Sequence, residues 1–279
     1  LGSNSFHMLV VRQVDGRFTV LDRLREMVRL AAGLDERGEL TEASMARALE
    51  CLSRFGQRLR DIRPARVRAV GTNTFRRAKT VDAFLERAQA ALGFPIEIIS
   101  GREEARLIYL GAAHTLPAGD VRRLVVDIGG GSTEIIAGTG LRARELASMY
   151  MGCVSVSEAF FPGGKISAKR FRRARTAAAV ELEPVVPRLR AIGWEKAIGT
   201  SGTIRTTESV LRELGWVSER ITLVAMERLA EEMVGAGHVN QLRLPGLSAQ
   251  RTPVYPGGLA ILMSVFEALG IEAMRVSDA

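Results

Sequence analysis

Asp127-Ile128-Gly129-Gly130-Gly131-Ser132-Thr133-Glu134 is the stretch on which the reading of this chain turns. An apolar run, Leu124 to Asp127, precedes the glycines and reads as a buried strand. A second run, Glu134 to Gly138, follows them and reads as another. An acid at the end of a buried strand has its carboxylate aimed into a cleft. Glycines let backbone N–H groups approach an anion closely, and successive N–H groups form an anion nest. Ser132 and Thr133 add hydroxyl donors. A carboxylate placed beside phosphates usually holds Mg²⁺ rather than touching the phosphate. A plain β-turn with a satisfied aspartate is the competing reading, and three consecutive glycines between apolar strands weigh against it.

Working outward, the opening Leu1-Gly2-Ser3-Asn4-Ser5 echoes this device, because it too leads through small residues into an apolar run, His7 to Val11. Alone it would pass as an ordinary turn. As a pair, two such loops facing each other across a cleft would clamp a phosphate. Gly199-Thr200-Ser201-Gly202-Thr203 is a third loop of small residues after a strand, and phosphate binding and simple chain reversal fit it equally. Glu103 and Glu104 open a helix after Ser100-Gly101, where acids also serve as helix-dipole partners. A hydrolase without a usable His or Cys still needs a base for water, and a carboxylate supplies one. Arg76 and Arg77 follow the turn after Val67–Val70 and read as a solvated face or a phosphate grip.

The remaining pattern alternates strands and helices. Asp15-Gly16 is hairpin chemistry ahead of a short strand, Phe18 to Leu21. Helical spacing covers Thr41 to Leu59, with Thr41 as N-cap, then Val81 to Leu92 and Glu103 to Leu110. Further helices are expected at Arg170 to Leu189, Met226 to Gly235 and Leu259 to Leu269, the last entered through Pro256-Gly257-Gly258. Short strands are expected at Pro95 to Ile99, Lys196 to Ile198 and Met274 to Val276. The whole predicts an α/β chain with mixed sheets. A polar gap at Pro117 to Asp120 marks a boundary, giving domains 1–112 and 113–279.

With 279 residues, two domains are the default. No run of eighteen consecutive apolar residues is visible, so no membrane span is expected. The two cysteines, Cys51 and Cys153, are too few for a disulfide framework and point to a reducing, cytoplasmic setting. The histidines, His7, His114 and His238, lie far apart, which argues against a His-built metal site or triad. Net charge is +8, and only four of the 39 basic residues are lysines. The excess of arginine suits bidentate phosphate contacts, although a GC-rich genome also produces it. The net charge favours a polyanionic partner. Nucleic acid is not expected, because no recognition helix, zinc finger or RNP aromatic strand is present and aromatics are only 5%.

These stretches together resemble the exopolyphosphatase and guanosine pentaphosphate phosphohydrolase family. The matching segments are LGSNSFHML at 1–9, GTNTFRRA at 71–78, IEIISGREEARLIYLG at 96–111, VVDIGGGSTEII at 125–136, MGCVSVSEAFFPGG at 151–164, GTSGT at 199–203 and PGGLAI at 256–261. The resemblance implies the actin-like ATPase fold of sugar kinases, Hsp70 and actin: two lobes, each with a ribonuclease H-like mixed sheet flanked by helices. It implies Glu104 as the base that activates water and Asp127 as the catalytic, Mg²⁺-associated aspartate, with Glu134 assisting at the metal. Ser3, Asn4, Ser5, Arg76, Gly129, Gly130, Gly131, Ser132, Gly202 and Thr203 take phosphate-binding roles. The cofactor it implies is Mg²⁺ or another divalent cation, and a homodimer is a further expectation. The family's first loop begins with an Asp at the position before Leu1, and longer members continue past this chain's last residues into a helical region.

The activity expected is removal of terminal phosphate from inorganic polyphosphate. Guanosine pentaphosphate is the alternative substrate. A small-molecule kinase of the same superfamily, and a non-catalytic sensor of guanosine polyphosphate or polyphosphate, are the readings from other classes. Retention of both Glu104 and Asp127 argues against the sensor.

Overall fold

The structure, a computed structural model, describes residues 1–15, 17–35, 37–79, 81–116 and 119–277. Gly16 of the expected hairpin turn and Pro117 and Ala118 of the expected boundary lie outside these. The chain forms two compact units, Leu1–Ser100 and Gly101–Ala279. The expected division between residues 112 and 113 falls inside a helix that belongs to the second unit.

In the first unit, β1 (Phe6–Val14) and β2 (Arg17–Glu26) form an antiparallel hairpin. Helix α1 (Glu42–Leu59) follows, then β3 (Ala69–Gly71), α2 (Asn73–Arg77), α3 (Val81–Leu92) and β4 (Ile96–Ile98), with β3 and β4 parallel. The apolar residues of α1 recur at helical spacing and bury Ala48, Cys51, Leu52, Phe55 and Leu59. They pack on Phe84, Ala88 and Leu92 of α3. Gly56 permits the close approach, because a Cβ there would lie 2.5 Å from Leu92 O. Phe6, Phe75 and Phe84 fill the centre. Thr41 stands at the expected cap of α1, but its hydroxyl donates to Ser44 Oγ instead of receiving a backbone N–H.

The second unit opens with α4 (Gly101–His114), followed by β5 (Arg122–Ile128), β6 (Thr133–Thr139) and β7 (Arg142–Met149). Then come α5 (Cys153–Phe160), α6 (Ala168–Leu182), α7 (Val186–Ile192), β8 (Lys196–Thr200), α8 (Ser201–Glu213), α9 (Leu223–Ala236), α10 (Tyr255–Leu269) and β9 (Met274–Val276). Its sheet has the order β7-β6-β5-β8-β9; β6 is antiparallel to both neighbours, while β5, β8 and β9 are parallel. That is the ribonuclease H-like arrangement. β5 is central and carries the buried run Leu124, Val125, Val126.

Three expectations are corrected. The single helix expected over 170–189 is two, α6 and α7, because Pro184 removes a backbone donor just beyond Leu182 and Pro187 sits in the first turn of α7. The loop expected at 199–203 is the end of β8 running straight into α8. Pro256, Gly257 and Gly258 lie inside α10 rather than before it. Its glycines serve packing: a Cβ at Gly257 would lie 2.5 Å from Ser157 N and Oγ. The stretch Thr252–Leu269 is long and apolar enough by length and composition to cross a membrane, but 72% of it is buried as a core helix.

Candidate active site

The register of the second sheet builds the site. Asp127 on β5 stands opposite Glu134 on β6, and Glu134 stands opposite Ser148 on β7. On the other side, Asp127 stands opposite Thr200 at the end of β8. Four polar side chains therefore form one row, Ser148–Glu134–Asp127–Thr200, across the end of an otherwise apolar sheet. The outer hydroxyls face inward: Ser148 Oγ donates to Glu134 Oε1 at 2.8 Å, and Thr200 Oγ1 donates to Asp127 Oδ2. The two carboxylates occupy the middle. Like charges directly opposite on a sheet are destabilising.

Burial sharpens the conflict. Desolvation pushes the Asp127 carboxyl up to about 6; the Thr200 hydrogen bond opposes this, Glu104 adds to it, and Arg205 and Arg251 oppose it. Glu134 is only 1% exposed. Its carboxyl lies well above the usual range, first through desolvation and then through the charges of Glu104 and Asp127, against hydrogen bonds from Ser148 and Ser132. Glu104, in the first turn of α4, thus shares one electrostatic neighbourhood with both acids. The seat of α4 fixes it there. Ala105, Tyr109, Ala112 and Ala113 pack on Val125 and Ile136 of the sheet. Tyr109 Oη donates to Gly140 O at 3.2 Å. Gly138 leaves room for that ring, since a Cβ there would lie 2.6 Å from Tyr109 Oη.

The loop between β5 and β6 is held from behind. Gly129 N–H donates to Ser132 O at 2.9 Å, which closes the turn. The carbonyls of Gly129 and Gly130 accept from Cys153 N–H at 2.8 Å and Val154 N–H at 2.9 Å, at the start of α5. Gly152 lets that helix approach, because a Cβ there would lie 2.4 Å from Gly130 C and O. Its carbonyls are tied back, and among the described residues the amides of Gly130 and Gly131 have no acceptor. Two successive amides without an acceptor are the donor set of an anion nest.

Ser201, at the start of α8, has φ +73, an uncommon value for a residue with a side chain. Its hydroxyl receives Ile128 N–H at 3.2 Å and donates to Ile128 O at 3.0 Å, so it pins the residue after Asp127. Gly202 and Thr203 occupy the next positions. The Arg251 guanidinium lies directly over Gly202, where a Cβ would meet its Nη2 at 1.6 Å. Thr203 is buried, and its hydroxyl is turned to Ile128 O at 3.4 Å.

In the first unit, the loop expected to bind phosphate has the same construction. Gly2 N–H donates to Ser5 O at 3.2 Å, and the carbonyls of Ser3 and Asn4 accept from Ala31 and Arg29. Ser3 and Asn4 are buried. Both side-chain polar atoms of Asn4, with Asn73 Nδ2 and Thr74 Oγ1, are buried and make no hydrogen bond. Buried polar atoms of this kind have unused hydrogen-bonding capacity that water or a ligand can take up. Ser5 Oγ pairs with His7 Nε2 at 2.8 Å. Arg76 lies in α2, half-buried, and one guanidinium nitrogen donates to Ile99 O at 2.8 Å.

Among the described residues, no cluster of three or more His, Cys, Asp or Glu side chains is arranged to hold a metal ion. The donor set fits a hard cation only in the mode where one or two carboxylates share it with substrate phosphates and water.

Compared with known proteins, the Ppx/GppA phosphatase family pattern matches residues 9–279. The chain belongs to the Ppx/GppA phosphatase family. A curated relative from Vibrio vulnificus, described as guanosine-5'-triphosphate,3'-diphosphate pyrophosphatase, is 46% identical over 277 residues, which is 99% of this chain and 55% of the relative. The chain therefore spans about half the length of the curated relative it matches. The Aquifex aeolicus PPX-GPPA enzyme is similar at 27% identity and TM-score 0.78, covering 100% of this chain and 93% of that one. An exopolyphosphatase from Cytophaga hutchinsonii is similar at 25% identity and TM-score 0.86, covering 99% and 91%. The actin-like ATPase fold expected from the sequence is the fold of this chain. The sequence reading singled out Asp127, Glu134, Glu104 and the glycine loop, and the fold of the second unit brings these together. It named Thr200 and Ser201 only within the loop 199–203 and did not name Ser148 or Arg251, which join this row and Gly202 through strand register and tertiary packing.

Proposed function

We propose that this chain is the catalytic core of a phosphoanhydride hydrolase that removes a terminal phosphate, with guanosine pentaphosphate as the preferred substrate. The observation that carries the reading is the row Ser148–Glu134–Asp127–Thr200 beside the unpaired amides of Gly130 and Gly131, with Glu104 in the same field. Preference for the nucleotide rests on the 46% identical relative described by that activity. It reverses the order expected from sequence alone. The likeness to an exopolyphosphatase supports inorganic polyphosphate as the second reading.

In the proposed reaction, the amides of Gly130 and Gly131 receive oxygens of the phosphoryl group, while the Ser132 hydroxyl, which now donates to Glu134, turns to the phosphoryl group when it binds. Glu104 accepts the proton of the attacking water. Phosphoryl transfer needs mainly positioning and charge stabilisation, which fixed amides supply without reorganisation. Asp127, with Glu134 behind it, would hold a divalent cation such as Mg²⁺, which when bound offsets the charge of the phosphate oxygens. Within the first unit, Ser3, Asn4, Ser5 and Arg76 are proposed as phosphate-binding residues, with the unsatisfied Asn4 amide as support.

The test is phosphate release from guanosine pentaphosphate and from long-chain polyphosphate, with and without Mg²⁺, for the wild type and Glu104→Gln. The variant is expected to keep its fold and lose about 10²–10⁴ in rate. Near-normal turnover would remove Glu104 from the role of base. Faster release from polyphosphate would return preference to the second reading.

A further inference from the structure

The ladder between β5 and β8 ends at the pair Asp127 and Thr200. Ile128 lies one residue beyond it and is only 1% exposed, so its N–H and C=O need partners that β8 no longer supplies. Ser201 supplies both with one hydroxyl. Its Oγ receives Ile128 N–H at 3.2 Å and donates to Ile128 O at 3.0 Å. Thr203 Oγ1 donates to the same carbonyl at 3.4 Å. The first turn of α8 thus continues the ladder with side chains, where the strand has already become a helix.

The peptide groups held in this way are the two that join Asp127 to the glycine loop. Ile128 N–H belongs to the peptide that leaves Asp127. Ile128 O belongs to the peptide that enters Gly129, and the N–H of that peptide closes the loop on Ser132 O at 2.9 Å. One hydroxyl therefore grips the chain between the Asp127 carboxylate and the unpaired amides of Gly130 and Gly131. Ser201 does this from a left-handed backbone, φ +73. Glycine holds that conformation without strain, and serine does not. Strain kept at one residue beside a candidate site points to what its side chain does there.

We propose that Ser201 is a positioning residue for phosphate release: its hydroxyl holds the Asp127 carboxylate and the Gly130 and Gly131 amides at the separation at which both act on one phosphoryl group. The inference rests on the hydrolase reading above. Ser201 acts through Ile128 and not by touching the substrate. Without the hydroxyl, Ile128 N–H is buried with no partner and neither peptide is held on this side. Placement of the reacting group then suffers, and placement supplies much of the rate of phosphoryl transfer.

Three variants separate this role from a general loosening of α8. Ser201→Gly removes the hydroxyl and relaxes the left-handed turn. Ser201→Ala removes the hydroxyl and keeps the strain. Tyr255→Phe removes the hydrogen bond from Tyr255 Oη to Thr207 Oγ1, deeper in the same helix, and leaves Ile128 untouched. Each is compared with the wild type by Tm, by kcat and KM for guanosine pentaphosphate and polyphosphate, and by amide exchange over 127–131. Both Ser201 variants are expected to lose about 10–10²-fold in kcat and to exchange faster over 127–131, with KM within about threefold. Tyr255→Phe is expected to keep kcat within about twofold. Near-normal kcat in Ser201→Gly, with or without a loss in Ser201→Ala, would overturn the proposal, and so would an equal loss in Tyr255→Phe. A wild type that releases no phosphate would sink the hydrolase reading instead. Inorganic phosphate titrated against the Gly130 and Gly131 amide NMR signals then decides: weaker binding by about tenfold in Ser201→Gly is expected, and equal binding would overturn the positioning role.

Discussion

Asp127→Asn should make this protein more stable while removing the phosphate release proposed for it. In the folded chain the Asp127 carboxyl is raised from an ordinary 3.8 to about 6. At neutral pH folding therefore carries the cost of keeping a desolvated anion beside Glu134 and Glu104. The difference, 6 − 3.8, corresponds to about 3 kcal/mol as an upper bound, and partial exposure of Asp127 reduces it to about 1–3 kcal/mol. Asparagine retains an oxygen for the Thr200 hydroxyl, and its amide can donate to Glu134. The variant should gain that energy, or roughly 2–4 °C in Tm per kcal/mol for a chain of this size. The sign follows from proton linkage. Between pH 3.8 and about 6 the folded state binds more protons at Asp127 than the unfolded state does, so stability falls as pH rises through that window. Wild-type Tm, followed by circular dichroism from pH 7 to pH 4.5, should first rise as pH falls. Glu134 adds to the slope with the same sign, and the pair titrates as a unit. Asp127→Asn should start higher at pH 7 and show a flatter profile. A variant that is less stable at pH 7, or a wild-type profile without that rise, would refute the argument that the row stores repulsion.

The remaining predictions concern the supports of the site. Gly152→Ala drives a methyl into Gly130, whose backbone cannot yield, so it should cost about 1–3 kcal/mol in denaturant unfolding and lower phosphate release at least about tenfold. Tyr109→Phe removes one hydrogen bond to Gly140 O, and urea unfolding should show a loss of about 1 kcal/mol with turnover little changed, because ring packing and not the hydroxyl seats α4. Leu52→Ala, in the fully buried face of α1, should cost about 2–5 kcal/mol. A loss below about 1 kcal/mol would show that α1 and α3 repack around the cavity.

The parts of this fold that were legible in the sequence are those where local chemistry and tertiary placement agree. Asp127 to Glu134 could be read as strand, loop and strand because an apolar run meets glycines that no helix would tolerate. β9 and α1 were legible from periodicity alone. β7 was not, because Arg142 to Met149 mixes charged and apolar residues in the way of a half-exposed edge strand. α8 was hidden by Gly199 to Thr203, whose small residues read as loop but start a helix under Arg251. Gly257 and Gly258 were read as breakers, although their reason is the contact of α10 with Ser157, Cys153 and Thr203. The site follows the same rule. Asp127 and Glu134 belong to one local motif, so the sequence exposes both. Ser148 and Thr200 join them only through the register of β6 with β7 and of β5 with β8, and register is a property of the sheet, not of any one segment. A one-residue slip of β7 would turn Ser148 to the other face and leave Glu134 with one hydroxyl partner fewer. The chain thus fixes the two carboxylates of the row by hydroxyls delivered from neighbouring strands, Ser148 from β7 and Thr200 from β8.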